Sequence, residues 1–275
     1  VPFADPKSTM RVLLNYASWE FRSSQRLNSR SGLKIGGFDH AWSFGPRNID
    51  PAFFEQNREI LSGSRRILSE ARGSGYWLWK PYFILNCLKR LKEGDFLFYS
   101  DAGAKFIASM EPLFTLAESR GLDLIPFQLK GYKEKWWTKR DAFLLMNCDT
   151  EPFTESDQRL CGFVLLQKTD FTINFVTEWL RLARDPRLLT DAANTQGHHD
   201  YSGFRAHRHD QSIFSLLTKI HRLESFRDPS QFGNTDIVEF PNSPYGQLLD
   251  LTRKRFVPLP VKVWRKIQRE WTSRS

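Results

Sequence analysis

Two short apolar runs, each closing on small polar residues, constrain this chain more than any other feature. Residues 10–16 read M-R-V-L-L-N-Y, and residues 96–99, inside D-F-L-F-Y-S-D-A-G, read F-L-F-Y. Strands buried on both faces read as such continuous runs, and they occur in parallel sheets covered by helices. Segments of helical period fill the space between and after them. One helix opens at Asp50-Pro51 and carries Phe53, Phe54 and Ile60. A second opens at Lys80-Pro81, sets Phe83, Ile84, Cys87, Leu88 and Leu91 on one face, and stops at Gly94. A third starts at Ser109 and Pro112 and runs to Gly121, and residues 122–127 form the next strand. This β-α-β-α-β order predicts an α/β fold: a single Rossmann-like domain with a central, mostly parallel sheet flanked by helices.

The stretch 18–45 is polar, rich in Ser, Arg, Asn and Gly, and carries no periodicity that defines an element. Further on, 161–166 reads as a strand and 171–184 as an amphipathic helix with Phe175, Val176, Trp179, Leu180 and Ala183 inward. A His-rich polar loop, 191–209, precedes Asp210, which is placed to cap a helix whose inner face is Ile213, Phe214, Leu217 and Ile220. Beyond Asp228-Pro229 the text is loop-rich, which divides the chain into a domain of residues 1–228 and a C-terminal extension, 229–275. The extension ends in a basic amphipathic segment, 261–271, suited either to docking on the domain or to peripheral contact with an anionic membrane.

Charge narrows the partners. Forty Lys and Arg against 31 Asp and Glu leave a formal net charge of +9, so the partners include something anionic: a nucleic acid, a phospholipid surface or a nucleotide diphosphate. A solvated basic face is the plain alternative. Nine Trp and 23 Phe exceed what a core of this size needs and supply rings that can stack on sugars or bases. Cys87, Cys148 and Cys161 have no C-x-x-C spacing and read as reduced core thiols. No run approaches the roughly 18 apolar residues of a membrane span, and the first residues have no signal-peptide core, so a cytoplasmic, membrane-peripheral or soluble protein is expected.

Four groups of residues can carry chemistry. Asp101 stands just past a buried strand, beside Ala102 and Gly103, where a carboxylate can hold a divalent cation against a diphosphate or simply close a turn. The segment R-G-S-G-Y-W-L-W-K-P, 72–81, offers Tyr76 and Trp79 to a base or sugar and Lys80 to phosphate charge at a helix start, or else is a tight turn with core tryptophans. In K-E-K-W-W-T-K-R-D, 133–141, Lys139 and Arg140 can stabilise a departing diphosphate, or form a solvated charged turn. His198, His199, His207 and His209 lie close in sequence without zinc spacing; one could complete a metal site, but a polar surface loop explains most of them. Asp210, followed by Gln211, has the fixed direction of a helix start and suits a general base, a group orienting the reacting sugar, or a plain cap.

Together these segments resemble a family of glycosyltransferases with the GT-A nucleotide-diphospho-sugar transferase fold. Four ordered blocks carry the resemblance: G-S-G-Y-W-L-W-K-P-Y at 73–82, G-D-F-L-F-Y-S-D-A-G at 94–103, W-T-K-R-D-A-F at 137–143 and R-H-D-Q-S-I-F-S at 208–215. With the first strand they cover about residues 11–220. The resemblance implies a nucleoside diphosphate sugar as donor and a glycan or other hydroxyl acceptor, Asn15, Tyr16 and Ala17 lining the nucleotide pocket, and Asp101 binding Mn2+ or Mg2+. It also implies that Asp210 acts as base or sugar-orienting group. Gly103 replaces the second aspartate of the family's D-x-D motif, which leaves single-carboxylate metal binding and metal-free catalysis both open. Transfer of a hexose to a hydroxyl is the reaction expected. Its rivals are a basic nucleic-acid-binding module, disfavoured because the bases match no nucleic-acid motif, and a metal-dependent hydrolase or nucleotidyltransferase.

Overall fold

The computed structural model describes residues 9–61 and 73–252. Its centre is a five-stranded sheet in the order β2-β1-β3-β6-β5. β1 (Arg11–Tyr16) and β3 (Phe96–Ser100) are the two apolar runs, and β2 (His40–Phe44) lies on the other side of β1. β1 pairs in parallel with both neighbours, while β6 (Asp157–Gln167) runs antiparallel to β3 and to β5 (Leu124–Lys133). Four strands therefore point one way and β6 alone the other, so the sheet is mixed, with a parallel half that ends at Tyr16 and Ser100. A small second sheet pairs β4 (Ala104–Phe106) with β7 (Leu249–Leu251).

The helices among the described residues include α1 (Arg22–Ser31), α2 (Pro51–Gln56), α3 (Trp79–Leu88), α4 (Glu111–Arg120), α5 (Asp170–Ala183) and α6 (Asp210–Ile220). The two-residue period of a strand sends alternate side chains to opposite faces. Val12, Leu14, Leu97 and Tyr99 pack with α3, α5 and α6, whereas Leu13, Phe96 and Phe98 pack with α4, Phe38 and Phe106. Residues 229–252 contribute Tyr245, Leu248 and Leu249 to the second cluster. The segment 261–271 lies outside the described residues. No helix among the described residues is long and apolar enough to cross a membrane.

Several boundaries differ from expectation for identifiable reasons. The helix at Asp50 is capped as expected, Asp50 Oδ1 accepting the N–H groups of Ala52 and Phe53, but it ends at Gln56, and a short separate helix, Arg58–Leu61, carries Ile60. α3 ends at Leu88, and Gly94, at φ 89°, instead turns the chain into β3. Ile220 is 40% exposed rather than inward. The stretch 18–45 holds both α1 and β2. Its helix buries small and polar residues, Ser24, Asn28 and Ser31, so no apolar stripe announces it.

Candidate functional site at the carboxyl edge of the sheet

β3 delivers Asp101 to the carboxyl edge of the sheet, where open α/β folds bind ligands. Its backbone N–H donates to Gly162 O of β6 at 2.7 Å, and its carboxylate, 43% exposed, accepts from the Tyr99 hydroxyl at 2.5 Å. Lys80, the second residue of α3, reaches the same point from below. Its ammonium lies 3.8 Å from Asp101 Oδ1 and 2.7 Å from Asp210 Oδ2, and donates to Cys161 O at 2.9 Å. The Cys161 thiol donates to Asp210 Oδ2 at 3.4 Å. Lys80 and Asp210 are both buried, so each is the other's main charge partner.

Burial alone would pull the Lys80 ammonium down, but Asp210, the Cys161 sulfur and Asp101 outweigh it and hold the group protonated well above the usual lysine range. Burial raises Asp210 above the usual carboxylate range, against the opposing pull of Lys80. Tyr99 is pushed up by burial first and by Asp101 second, and Cys161 by burial against the opposing pull of Lys80, so each remains a donor at neutral pH. Two carboxylates against one ammonium leave the cluster net negative at its half-exposed end, Asp101.

Asp210 arrives through an unusual approach. Of the roles that its position at a helix start allows, the plain cap is not the one seen: Asp210 is the first residue of α6, and His209, at φ 54° and ψ −121°, holds the position before it. That left-handed backbone directs the Asp210 side chain inward to Lys80. Opposite it, Gly73, Ser74, Gly75, Tyr76 and Trp77 all have positive φ, a continuous left-handed turn. Such backbone costs roughly 1–2 kcal/mol per non-glycine residue and persists where surrounding structure enforces it, often at ligand sites. The two strained segments touch: Tyr76 lies 5.0 Å and Trp77 5.6 Å from the His209 ring, centre to centre. Only Gly73 and Gly75 signal this turn in the sequence.

The other expected site residues are placed as follows. Asn15 is fully buried, its amide donating to Asn28 at 2.7 Å and Ser29 at 2.9 Å, with its Oδ1 lacking a partner among the described residues. Tyr16 is buried and stacks on Trp79 at 3.7 Å, so both rings belong to the core beneath the edge. Ala17 is buried and its N–H donates to Phe44 O at the end of β2. Gln211 turns both ends of its amide to β6, accepting from the Cys161 N–H at 3.3 Å and donating to Gln158 at 2.9 Å.

Lys139 and Arg140 are not brought to the Asp101 cluster. The Lys139 ammonium donates to Thr190 O and Ala192 O, and burial lowers its pKa. Arg140 pairs with Asp149 at 3.1 Å and lies over the Tyr201 ring. Asp141 accepts from Thr195 and Gln196, so this block braces the loop 190–200. The histidines separate likewise. His198 and His199 are exposed, while His207 and His209 are buried, with ring nitrogens 2.7 Å from Leu188 O and 2.8 Å from Leu189 O.

No three His, Cys, Asp or Glu side chains among the described residues are grouped to hold a metal. A divalent cation at the sheet edge would have to rest on the single Asp101 carboxylate and take its remaining ligands from substrate phosphates and water.

Fold and cluster define a class: an α/β domain with an acidic, lysine-braced site at the carboxyl edge of its parallel strands. No protein-family model matches the chain, and no curated protein matches it in sequence. Solved structures of similar chain path include the apo form of mouse xyloside xylosyltransferase 1, 11% identical at TM-score 0.46, with 91% of this chain and 100% of that one covered. They also include galactosyltransferase LgtC in complex with donor and acceptor sugar analogues, 10% identical at TM-score 0.46, with 88% of this chain and 87% of that one covered. The bifunctional glycosyltransferase WbbM is 9% identical at TM-score 0.49, and the match spans 92% of this chain but 47% of WbbM.

Proposed function

We propose that this chain is a glycosyltransferase that binds a nucleoside diphosphate sugar at the carboxyl edge of β1 and β3 and passes the sugar to a hydroxyl acceptor. One observation carries the reading. Lys80 and Asp101 lie 21 residues apart and Asp210 lies 109 residues beyond Asp101, yet both carboxylates come within 4 Å of the Lys80 ammonium. Strained backbone at 73–77 and at His209 stands beside the same cluster.

Charge decides how a diphosphate can be held there. Two like charges about 4 Å apart repel by about 4 kcal/mol at an effective dielectric near 20, so a diphosphate beside Asp101 needs a cation between them. Mn2+ or Mg2+ carried in with the nucleotide would rest on Asp101 and, when bound, offset the charge that develops on the leaving diphosphate. The Tyr99 hydroxyl donates to the Asp101 carboxylate and orients it, with the Lys80 ammonium 3.8 Å away. Tyr76 and Trp77 supply aromatic surface beside the cluster. Asp210 is buried against Lys80, out of reach of a bulky acceptor, which favours a positioning role over that of general base. Gln211 then supports the site from behind through Cys161, and Lys139 and Arg140 brace the loop 190–200 away from the donor.

Thermal unfolding against UDP-, GDP-, CMP- and dTDP-sugars, with and without Mn2+, tests the reading. One donor should raise the melting temperature in a sugar-dependent and cation-dependent way, and should be consumed when an acceptor is supplied. Stabilisation by free phosphate or oligonucleotide alone, with none from any sugar nucleotide, would contradict it.

A further inference from the structure

Along α1 and the turn that follows it, Arg22, Arg26, Arg30 and Lys34 recur at every fourth residue, and all four are exposed. Four-residue spacing places side chains above one another on a helix, so they form one basic stripe. Arg120, Lys130 and Lys133, in contrast, are paired with Glu224, Glu239 and Asp157. None of the four stripe bases has a carboxylate at ion-pair distance among the described residues. Leu27, Leu33 and Ile35 stand exposed among and beside them, at 38%, 47% and 43%. An open groove of about 500 Å3 is lined by Arg26, Arg30, Lys34, Ser29, Ser43 and Leu33, among others.

We infer that this face of α1 docks on an anionic phospholipid surface. Unpaired guanidinium groups and an ammonium attract lipid phosphates, the groove with its two serine hydroxyls admits a headgroup, and the exposed aliphatic tips enter the boundary with the acyl chains. Residues 22–35 contain no aromatic ring, so the stripe lacks the stacking platform that single-stranded nucleic acid requires. The buried side of α1, through Asn28, contacts Ser100 and Ala104 beside Asp101, so docking would set the orientation of the candidate site relative to the membrane. The inference does not depend on the reaction proposed above.

Co-sedimentation of the full chain with vesicles of phosphatidylcholine alone, or mixed with phosphatidylglycerol, tests it. The chain should bind only the mixed vesicles, and added salt should release it. The combined R22Q/R26Q/R30Q/K34Q variant, with unchanged circular dichroism, should bind them roughly tenfold or more weakly. A Leu33→Ser, Ile35→Ser variant, which keeps every charge, should also bind more weakly while retaining the salt dependence. Equal vesicle binding by the charge variant and the parent would overturn the inference. So would stripe-dependent binding of single-stranded DNA in a chain that ignores vesicles.

Discussion

Lys80 is the residue on which the site turns. Its ammonium is buried between two carboxylates, and removing one partner of a buried ion pair typically costs about 3–5 kcal/mol because the other charge is left without compensation. Lys80→Met should therefore destabilise the chain by about that amount near neutral pH. The pH dependence has a definite sign. Asp210 has a raised folded-state pKa, and the loss of Lys80 raises it further. A carboxyl group of this kind favours the folded state fully below its unfolded pKa of about 3.9, and loses that contribution as pH rises through the folded value. The deficit of Lys80→Met should thus shrink at about pH 4 and be full at about pH 7. Urea unfolding at the two pH values measures it; an equal deficit at both would show that Lys80 acts by packing and not by charge. The sequence marked Lys80, Asp101 and Asp210 as chemical residues, because each sits at an element boundary. It could not show that they meet, since only the fold brings α3, β3 and α6 together. Lys139 and Arg140 carry the same kind of boundary signal, yet they brace a loop. Charge at a helix start does not by itself reveal which partner it serves.

Among the elements, those read correctly bury apolar faces and those missed do not. β3, α4 and α5 follow from runs and stripes of Phe, Leu, Val and Trp. α1 escapes because it approaches the sheet through serine and asparagine. At Gly32, directly after α1, an added Cβ would stand 2.4 Å from Leu13 Cδ2, so a larger side chain there requires Leu13 to shift. Gly32→Ala should cost about 1–3 kcal/mol, the usual penalty of overpacking, whereas alanine at exposed Ser23 should cost little. Thermal unfolding of the two variants checks this, and a neutral Gly32→Ala would mean that Leu13 can shift without cost. A tight turn at 72–81 is one of the two sequence readings of that segment, but its left-handed course at 73–77 is not legible there, because it packs on His209 and Trp79, which are distant or buried partners. Gly73 O, for instance, accepts from the Trp79 indole at 3.0 Å.

For the molecule as a whole, one α/β sheet gathers the catalytic candidates at one edge and leaves a basic helix face elsewhere. The expected α/β class and the predominance of parallel strand directions were legible in the alternation of strands and helices. The reversal of β6 was not, because a strand's direction leaves no trace in its own residues. The central claim is that Asp101, alone of the carboxylates, meets the diphosphate through a divalent cation. Calorimetric titration of the nucleoside diphosphate of the stabilising donor, with and without Mn2+, tests it most directly when parent and Asp101→Asn are compared. The parent should bind at least about tenfold more tightly with Mn2+, a difference of about 1.4 kcal/mol, and Asp101→Asn should lose that gain while unfolding at the parent's temperature. An unchanged Mn2+-dependent affinity in Asp101→Asn would contradict the account.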